Sequence, residues 1–195
     1  MSTKHIRGRT LDLGAGNAKY KDVILQYAEK YTAVDRSPGP NVDIVADAHH
    51  LSLDNGSFET VICTEVLEHV REPWVVIEEI ARVLVPGGRC ILTTPFLIPS
   101  HSDPYDFYRY TVDGVVHLFE RTGMHIVDRA RFGGIPIILG ESLKFAFCNP
   151  YGKRPGRLRR TLYRWISNVL QLCSRRLRQD TIFYAGTYVV AEKPL

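Results

Sequence analysis

The sequence lacks a long hydrophobic run: no segment reaches about 18 uncharged apolar residues, the length that a membrane-spanning helix requires. Residues 1–9 include charged side chains and no apolar segment follows them, so a secretory signal is not predicted either. The 195 residues are 45% hydrophobic and 24% charged, which is typical of one globular domain and excludes disordered, collagen-like and coiled-coil classes. We therefore expect a single cytoplasmic domain.

Cysteine is scarce, and no C-x-x-C pair occurs. The four cysteines are Cys63, Cys90, Cys148 and Cys173. Each has apolar neighbours, which is typical of reduced thiols in a core and argues against a disulfide framework or a zinc site.

Acidic residues are absent between Glu141 and Asp180. Nine positive charges lie at residues 153–178, at Lys153, Arg154, Arg157, Arg159, Arg160, Arg164, Arg175, Arg176 and Arg178. The whole chain has 25 basic and 21 acidic residues, a net charge of +4, so the 16 basic and 21 acidic residues outside this group give −5. An anionic partner is therefore expected at residues 153–178, and a general affinity for nucleic acid is not.

Short β-branched runs alternate with helical stretches from Arg9 to about Pro95, a pattern typical of a parallel sheet with helices on both faces. The predicted strands are 10–13, 32–35, 42–45, 60–63 and 90–94. Two helices are predicted between them, one with Val23, Ile24, Tyr27 and Ala28 on its buried face and one with Trp74, Ile77, Ile80, Ala81 and Leu84. Pro86, Gly87 and Gly88 are expected to stop the second helix.

The second half of the chain is predicted to hold a polar aromatic loop at 101–110, then a helix capped by Thr111 and a strand at 124–132. The last strand is expected at 181–192. The 48 residues between these two strands, 133–180, are too many for a plain loop and must carry their own structure. Their first half is apolar and suited to covering a site.

A glycine-rich turn follows the first predicted strand, with Gly14 and Gly16 opening the next helix. Two glycines let a ligand approach the main chain, and the helix N-terminus offers free N–H groups. Asp35, at the end of the second strand, lies where a carboxylate can accept both hydroxyls of a ribose. An ordinary tight turn is the alternative, and a dinucleotide site is disfavoured because its third small residue is replaced by Lys19.

Five motifs in order resemble those of the class I S-adenosylmethionine-dependent methyltransferases, particularly the small-molecule and lipid-quinone branch. They are Asp12-Leu13-Gly14-Ala15-Gly16, Val34-Asp35, Ala46-Asp47-Ala48, Glu65-Val66-Leu67-Glu68-His69-Val70 and Arg82-Val83-Leu84-Val85-Pro86-Gly87-Gly88. The resemblance implies an α/β fold: a Rossmann-like, doubly wound sheet of seven strands in the order 3-2-1-4-5-7-6, the last strand antiparallel, with a helical insertion before that strand.

The resemblance also implies S-adenosylmethionine as the cofactor and eleven residues that bind it. They are Asp12 near the methionine amino group, Gly14, Ala15 and Gly16 beneath the methionine and ribose, Asp35 with its neighbour Arg36 at the ribose, Asp47 and Ala48 at the adenine, and Thr64, Glu65 and Val66 at the sulfonium end. One departure is Ala18, where many relatives have a third glycine. Binding is still expected, with a tighter turn.

Methyl transfer needs mainly a well-placed acceptor, and a base is required only when the acceptor must lose a proton. The loop after the fifth strand offers three candidate catalytic residues, His101, Asp103 and Tyr105, with His101 as the preferred base. The alternative is that this loop is a structural turn whose aromatic residues cap the core.

Glu65, Glu68 and His69 fall on neighbouring positions of one turn, and some O-methyltransferases that resemble this chain hold a divalent ion with such residues. Metal-free relatives carry the same Glu-His pair, with the histidine packed beneath the cofactor loop. We predict no metal.

A helix starting near Leu158 would carry one apolar stripe with most arginines opposite. The stripe consists of Leu158, Leu162, Trp165, Ile166, Val169, Cys173 and Leu177. Such a helix suits the surface of an anionic membrane, whereas the alternative is a solvated helix whose stripe packs on the domain. RNA contact is the third possibility, and it is disfavoured because aromatic stacking platforms are not evident.

The sequence thus predicts one methyltransferase domain over 1–195, with a cofactor-binding core at 9–95, a substrate loop, helix and strand at 96–132, a basic helical insertion at 133–180 and a final strand at 181–195. The expected activity is methyl transfer from S-adenosylmethionine to a small-molecule or lipid-linked acceptor, at oxygen. The alternatives are a non-catalytic S-adenosylmethionine-binding module, an RNA methyltransferase that uses the insertion, and a nicotinamide-dependent oxidoreductase.

Overall fold

The protein is described by a computed structural model that covers residues 3–101, 104–148, 156–174 and 182–195. The strands are β1 (Arg9–Leu13), β2 (Lys30–Asp35), β3 (Ile44–Val45), β4 (Phe58–Thr64), β5 (Leu84–Pro95), β6 (His125–Phe132) and β7 (Gly186–Glu192). The α-helices are α1 (Lys21–Ile24), α2 (Pro73–Val83), α3 (Val112–Glu120), α4 (Ile135–Cys148) and α5 (Arg157–Ser174).

The seven strands form one sheet in the order β3-β2-β1-β4-β5-β7-β6, as predicted. The pairs among β1 to β5 are parallel, and β7 runs antiparallel to both β5 and β6. The strand order reverses between β1 and β4, and ligands of open α/β sheets bind at the carboxyl ends of the strands at such a point.

Alternating side chains of the central strands bury both faces of the sheet. Leu11, Leu13 and Cys63 pack with α2 and α3 on one face, while Ile62 and Ile91 belong to a smaller cluster on the other. Cys63 is a buried free thiol, as is Cys90, which agrees with the core role predicted for them. Burial on both faces explains why these strands are continuous apolar runs.

Two helix predictions differ from the structure. The first helix is only four residues long and continues to Ala28 as turns, with Ile24 buried but Val23 and Tyr27 exposed. The second helix ends at Val83, three residues before Pro86. Strand β5 begins at Leu84 and includes Gly87 and Gly88, and its pairing with β4 shifts register there.

The predicted Thr111 cap and the helical insertion are both present. The Thr111 side chain accepts a hydrogen bond from the Gly114 N–H at 3.0 Å, which starts α3. The insertion between β6 and β7 holds α4 and α5, which pack against each other. In the described ranges, no helix is both long and apolar enough to cross a membrane.

Candidate active site

The turn after β1 depends on left-handed backbone at three positions: Gly14, Gly16 and Ala18 have φ of 74°, 53° and 52°. A side chain on Gly14 would also collide with Val66, so glycine is required there for two reasons. The N–H of Gly14 donates to the Val34 carbonyl at 2.8 Å, which joins the turn to β2. Ala18 adopts a conformation that glycine takes without strain, which explains why many relatives have glycine at this position.

The Asp35 carboxylate connects this turn to the end of β2. One oxygen accepts the Gly16 N–H at 2.9 Å and the other accepts the Ser37 N–H at 2.9 Å. Each carboxylate oxygen has a second lone pair, so the group remains able to accept hydroxyl donors from a ligand.

A cavity of about 420 Å³ opens beside Asp35, at the carboxyl ends of β1, β2 and β4. Its wall consists of Leu13, Gly14, Asp35, Arg36, Ala46, Asp47, Ala48, His49, Glu65, Val66, His69, Val70, Arg71, Tyr105 and Phe107. Seven of the eleven predicted cofactor-binding residues and Tyr105 therefore lie together in this wall. The volume is within the range of small-molecule and cofactor pockets.

Four predicted cofactor-binding residues lie outside the cavity wall: Asp12, Ala15, Gly16 and Thr64. Asp12 is buried in β1 and accepts the Tyr31 hydroxyl at 2.7 Å, and burial raises the pKa of this carboxyl. The Gly16 N–H donates to the carboxylate of Asp35, which is part of the cavity wall.

Asp47 and His49 form a pair that the sequence motifs did not indicate. The Asp47 carboxylate accepts the His49 N–H at 2.9 Å and lies 2.6 Å from the His49 Nδ1. These hydrogen bonds lower the pKa of Asp47, so it is an anionic acceptor over a wide pH range.

The segment from Pro104 to Tyr110 covers one side of the cavity. The guanidinium of Arg36 lies 4.7 Å from the Tyr105 ring centroid, and that of Arg71 lies 5.3 Å from the Phe107 ring centroid. The Phe107 N–H donates to the Glu68 carbonyl at 2.7 Å, which holds the segment against the turn after β4.

Asp106 closes the base of this loop and has a structural role. Its Oδ2 accepts the His101 N–H at 2.8 Å and the Arg109 Nη2 at 2.7 Å, while its Oδ1 accepts the Arg109 Nη1 at 2.6 Å. The guanidinium holds the pKa of Asp106 far below its usual range. Part of the loop is thus a turn, as the alternative interpretation held, and the turn fixes the backbone of His101. Asp103, the third predicted catalytic residue, lies outside the described residues.

Glu65 ends β4 in a left-handed conformation, with a φ of 55°. Its N–H donates to the Thr93 carbonyl at 3.0 Å, and its carboxylate accepts the Thr93 hydroxyl at 3.0 Å. Burial raises the pKa of this carboxyl. Such strain in a residue other than glycine is typical of functional sites and aims the side chain at the cavity.

Glu68 is fully buried, yet neither of its carboxylate oxygens has a hydrogen-bond partner among the described residues. Its Oε1 lies 3.6 Å from the His69 Nε2 and 3.8 Å from the His101 Nε2. Burial and the nearby Glu65 raise the pKa of Glu68 to about 8. A buried carboxylate without partners is costly, so a function rather than stability explains it.

His69 belongs to both the cavity wall and this cluster. Its Nδ1 lies 2.7 Å from the Tyr105 carbonyl, which can only accept, so Nδ1 carries the proton and Nε2 keeps its lone pair. Burial lowers the pKa of His69 and keeps the ring neutral. The ring of His101 meets it edge-on, with centroids 4.9 Å apart. His101 therefore reaches the cavity through His69 and is absent from the wall.

Three comparisons place this geometry among known proteins. Residues 11–92 match the family model described as "Methyltransferase domain". The chain is similar to the "Ubiquinone biosynthesis O-methyltransferase" of Xanthomonas oryzae pv. oryzae (strain PXO99A), with 32% identity over 101 residues, 44% of this chain and 42% of that protein. It is also similar to the "27-O-demethylrifamycin SV methyltransferase" of Amycolatopsis mediterranei (strain S699), with 38% identity over 109 residues, 47% of this chain and 40% of that protein. These matches cover less than half of either relative.

The fold also matches solved structures. An S-adenosylmethionine-dependent methyltransferase from Archaeoglobus fulgidus superposes with a TM-score of 0.63 at 15% identity, covering 98% of this chain and 88% of that one. The sheet order, the glycine turn and the cavity at the switch point are those of an α/β protein of the class I methyltransferase fold. The resemblance seen in the motifs is confirmed over residues 11–92, the part of the chain that matches the family model.

Proposed function

We propose that the protein transfers a methyl group from S-adenosylmethionine to an oxygen of a small-molecule acceptor. The observation that carries the proposal is the group of Glu68, His69 and His101 beside the sulfonium end of the cavity. A non-catalytic module has no use for a buried carboxylate without partners next to two imidazoles. The names of the two relatives, both methyltransferases and one an O-methyltransferase, support the same function.

The residues of the cavity wall provide one group for each part of the cofactor. Asp35 accepts the ribose hydroxyls, Asp47 accepts from the adenine amino group, and the strained turn at Glu65 faces the sulfonium end. When bound, S-adenosylmethionine supplies the methyl group, which leaves sulfur as the new bond to oxygen forms. The chain itself positions the acceptor and receives its proton.

We assign the proton to the pair of His69 and His101. His69 lines the cavity and its Nε2 has a free lone pair, and His101 packs against its ring. The acceptor hydroxyl loses its proton to the His69 imidazole, and the Glu68 carboxyl lies 3.6 Å from the His69 Nε2. His69 is the proposed base that faces the acceptor, and Tyr105 orients it through its carbonyl. His101, the base expected from the sequence, lies outside the cavity wall and acts through its contact with the His69 ring.

A divalent cation is the second candidate at this position. Glu68, His69 and His101 each offer one ligand atom, and these atoms lie within 4.8 Å of one another. The unpartnered carboxylate of Glu68 fits such a role, and a His69 that donates its other N–H to a carbonyl is typical of metal ligands. Such an ion would lower the pKa of the acceptor hydroxyl. Loss of activity on chelation, restored by Mg²⁺, Mn²⁺ or Zn²⁺, would replace the metal-free mechanism that we propose.

We also propose that the acceptor is lipid-linked and that the protein acts in the cytoplasm at the membrane surface. A groove of about 490 Å³ supports this proposal, and it is lined by Phe96, Leu97, Ile98, Pro99, Ile135, Ile138, Leu139, Ser142 and Phe183. Ser142 is its only hydroxyl side chain, and this hydroxyl donates to the Ile138 carbonyl of its own helix. Arg109 joins the groove to the loop, because it donates to the Pro99 carbonyl and also lies 3.5 Å from the His101 Nδ1.

Methyl transfer is tested by incubating the protein with S-adenosylmethionine carrying a deuterated methyl group and a panel of phenols and lipid-linked phenols. Mass spectrometry is expected to show one deuterated methyl ether per acceptor together with S-adenosylhomocysteine. Tight cofactor binding without any methylated product would favour the non-catalytic module, and methylation of RNA alone would favour the RNA-directed alternative.

Replacement of Asp35 by Ala is expected to weaken S-adenosylmethionine binding by about 100-fold, because two hydrogen bonds to a charged group are lost at roughly 1.5 kcal/mol each. Calorimetry with S-adenosylmethionine, S-adenosylhomocysteine and NAD measures this effect, and NAD should not bind either protein. Asp113→Ala is the matched control, because that carboxylate is 85% exposed and lies on α3. Equal affinity in the Asp35 and Asp113 variants would refute the assigned ribose contact.

A further inference from the structure

Helix α5 presents an apolar face that is exposed in the described part of the structure. Its members are Leu158, Leu162, Trp165, Val169 and Leu172, which are 84%, 45%, 65%, 40% and 62% exposed. Their spacing of four and three residues places them in one stripe along the helix. We call this stripe the apolar face of α5.

A different side of α5 packs against the protein. The half-buried residues are Tyr163, Ile166, Ser167 and Leu170, and helical geometry places their centre roughly 130° around the axis from the apolar face. Leu170 approaches Gly140 of α4, where an added Cβ would lie 3.8 Å from its Cδ1. The alternative in which the predicted apolar stripe packs on the domain is therefore wrong for its exposed members, which are Leu158, Leu162, Trp165 and Val169. Ile166 is the exception, because it is half-buried. Leu177 and the side chain of Cys173 lie outside the described part.

Positive charge occupies the remaining side of α5. Arg157, Arg160 and Arg164 are exposed there, and no acidic residue occurs between Glu141 and Asp180 to neutralise them. Arg159 differs, since its guanidinium lies 5.9 Å from the Phe147 ring centroid on α4. The helix thus has a packed side, an uncovered apolar face and an uncompensated cationic side.

We propose that α5 docks on an anionic lipid bilayer, with its apolar face in the interfacial region and Arg157, Arg160 and Arg164 against lipid phosphates. Long arginine side chains reach the phosphate level while the helix lies flat, and Trp165 is the residue type that favours this interface. This surface is separate from the methyl-transfer site, so the inference goes beyond the proposed activity and does not depend on it.

A second copy of the chain fits this surface less well. Pairing of two apolar faces would bring the arginines of both helices together without any acidic partner, because α5 contains no acidic residue. RNA also fits less well, since the exposed stripe is aliphatic apart from Trp165 and offers one stacking ring. An anionic bilayer satisfies both the hydrophobic stripe and the charge.

Trp165 provides a direct probe, because the chain has only two tryptophans. In a Trp74→Phe background, the emission of Trp165 should shift to the blue when full-length protein meets phosphatidylcholine vesicles with about 30% phosphatidylglycerol. The protein should sediment with these vesicles at low salt, bind less at high salt, and bind little to vesicles of phosphatidylcholine alone.

Paired variants separate the two contributions to vesicle binding. Arg160→Gln with Arg164→Gln should lower the partition coefficient about 30-fold, which corresponds to about 1 kcal/mol for each charge. Leu162→Ser with Val169→Ser should lower it by at least about tenfold. The matched controls are Arg121→Gln and Leu25→Ser, which remove an exposed charge and a 46% exposed side chain elsewhere and should leave binding unchanged.

S-adenosylmethionine affinity should be the same in all these variants, which shows that they are folded and keeps this test independent of catalysis. The proposal is overturned if the protein ignores anionic vesicles at low salt, or if the α5 variants and the controls bind alike. It is equally overturned if analytical ultracentrifugation without lipid shows a dimer that the α5 variants abolish, or if the protein binds RNA but not vesicles.

Discussion

Turnover of an oxygen acceptor should fall about 10²- to 10⁴-fold in His69→Ala and in His101→Ala, the range found for the loss of a general base. The Nε2 atoms of His69 and His101 lie 3.6 and 3.8 Å from the Oε1 of Glu68. Of the two histidines, His69 belongs to the cavity wall. The double variant should be little worse than either single variant, because the two residues act as one unit. The measurement is kcat and KM with saturating S-adenosylmethionine.

The loss should depend on how readily the acceptor ionises. A phenol with an acidic hydroxyl needs no base, so it should restore most of the kcat of both variants, whereas a purely structural role would not be rescued by acceptor chemistry. His117→Ala is the control, because that side chain is exposed on α3 and is not part of the cavity wall. The proposal is contradicted if both histidine variants turn over a weakly acidic acceptor at the wild-type rate.

Local signals explain why most residues of the cavity wall on the side of β1 and β2 could be predicted to lie together. Glycine at positions 14 and 16 follows from the left-handed turn. The short apolar runs predict the strands, whereas the sheet order was implied by the resemblance of the motifs. Asp35 was found because it ends a strand next to β1. These features are encoded within a few residues of one another.

The catalytic side could be predicted only in part, because its geometry depends on contacts between distant segments. The proton on His69 is fixed by the carbonyl of Tyr105, 36 positions away, and the backbone of His101 is fixed by Asp106. The sequence placed Glu68 and His69 only in a metal-site alternative, because nothing local shows that the Glu68 carboxylate is buried without partners.

Helix α5 illustrates a different limit. Its apolar periodicity predicts an amphipathic helix. Two groups of apolar residues lie on neighbouring sides of this helix, however, and their packing against the rest of the protein determines which group is buried. The structure covers Ile166 and Leu170 and leaves Trp165 exposed. The stripe predicted as one surface is therefore divided between a half-buried side that packs on the protein and an exposed side.

Replacement of Glu68 by Gln should stabilise the protein at alkaline pH while abolishing most of its activity. Burial raises the pKa of Glu68 to about 8, above the usual value of 4.5 that applies in the unfolded chain. Below pH 4.5 the Glu68 carboxyl is protonated in both the folded and the unfolded state, so its ionisation does not lower the free energy of unfolding. Between pH 4.5 and 8 the unfolded state loses the proton while the folded state keeps it, so the free energy of unfolding falls as pH rises.

The size of this effect is about 5 kcal/mol when fully developed above pH 8, since each pKa unit corresponds to about 1.4 kcal/mol. Urea unfolding of chelator-treated protein should therefore show the free-energy advantage of Glu68→Gln growing by roughly 2 kcal/mol between about pH 6.5 and 8.5. Glu120→Gln, an exposed carboxylate at the end of α3, should show no such growth. Parallel pH curves for wild type and Glu68→Gln would mean that the carboxylate is solvated or paired in solution. A variant that is both more stable at alkaline pH and catalytically impaired would instead show that the chain keeps an unfavourable buried acid because the reaction needs it.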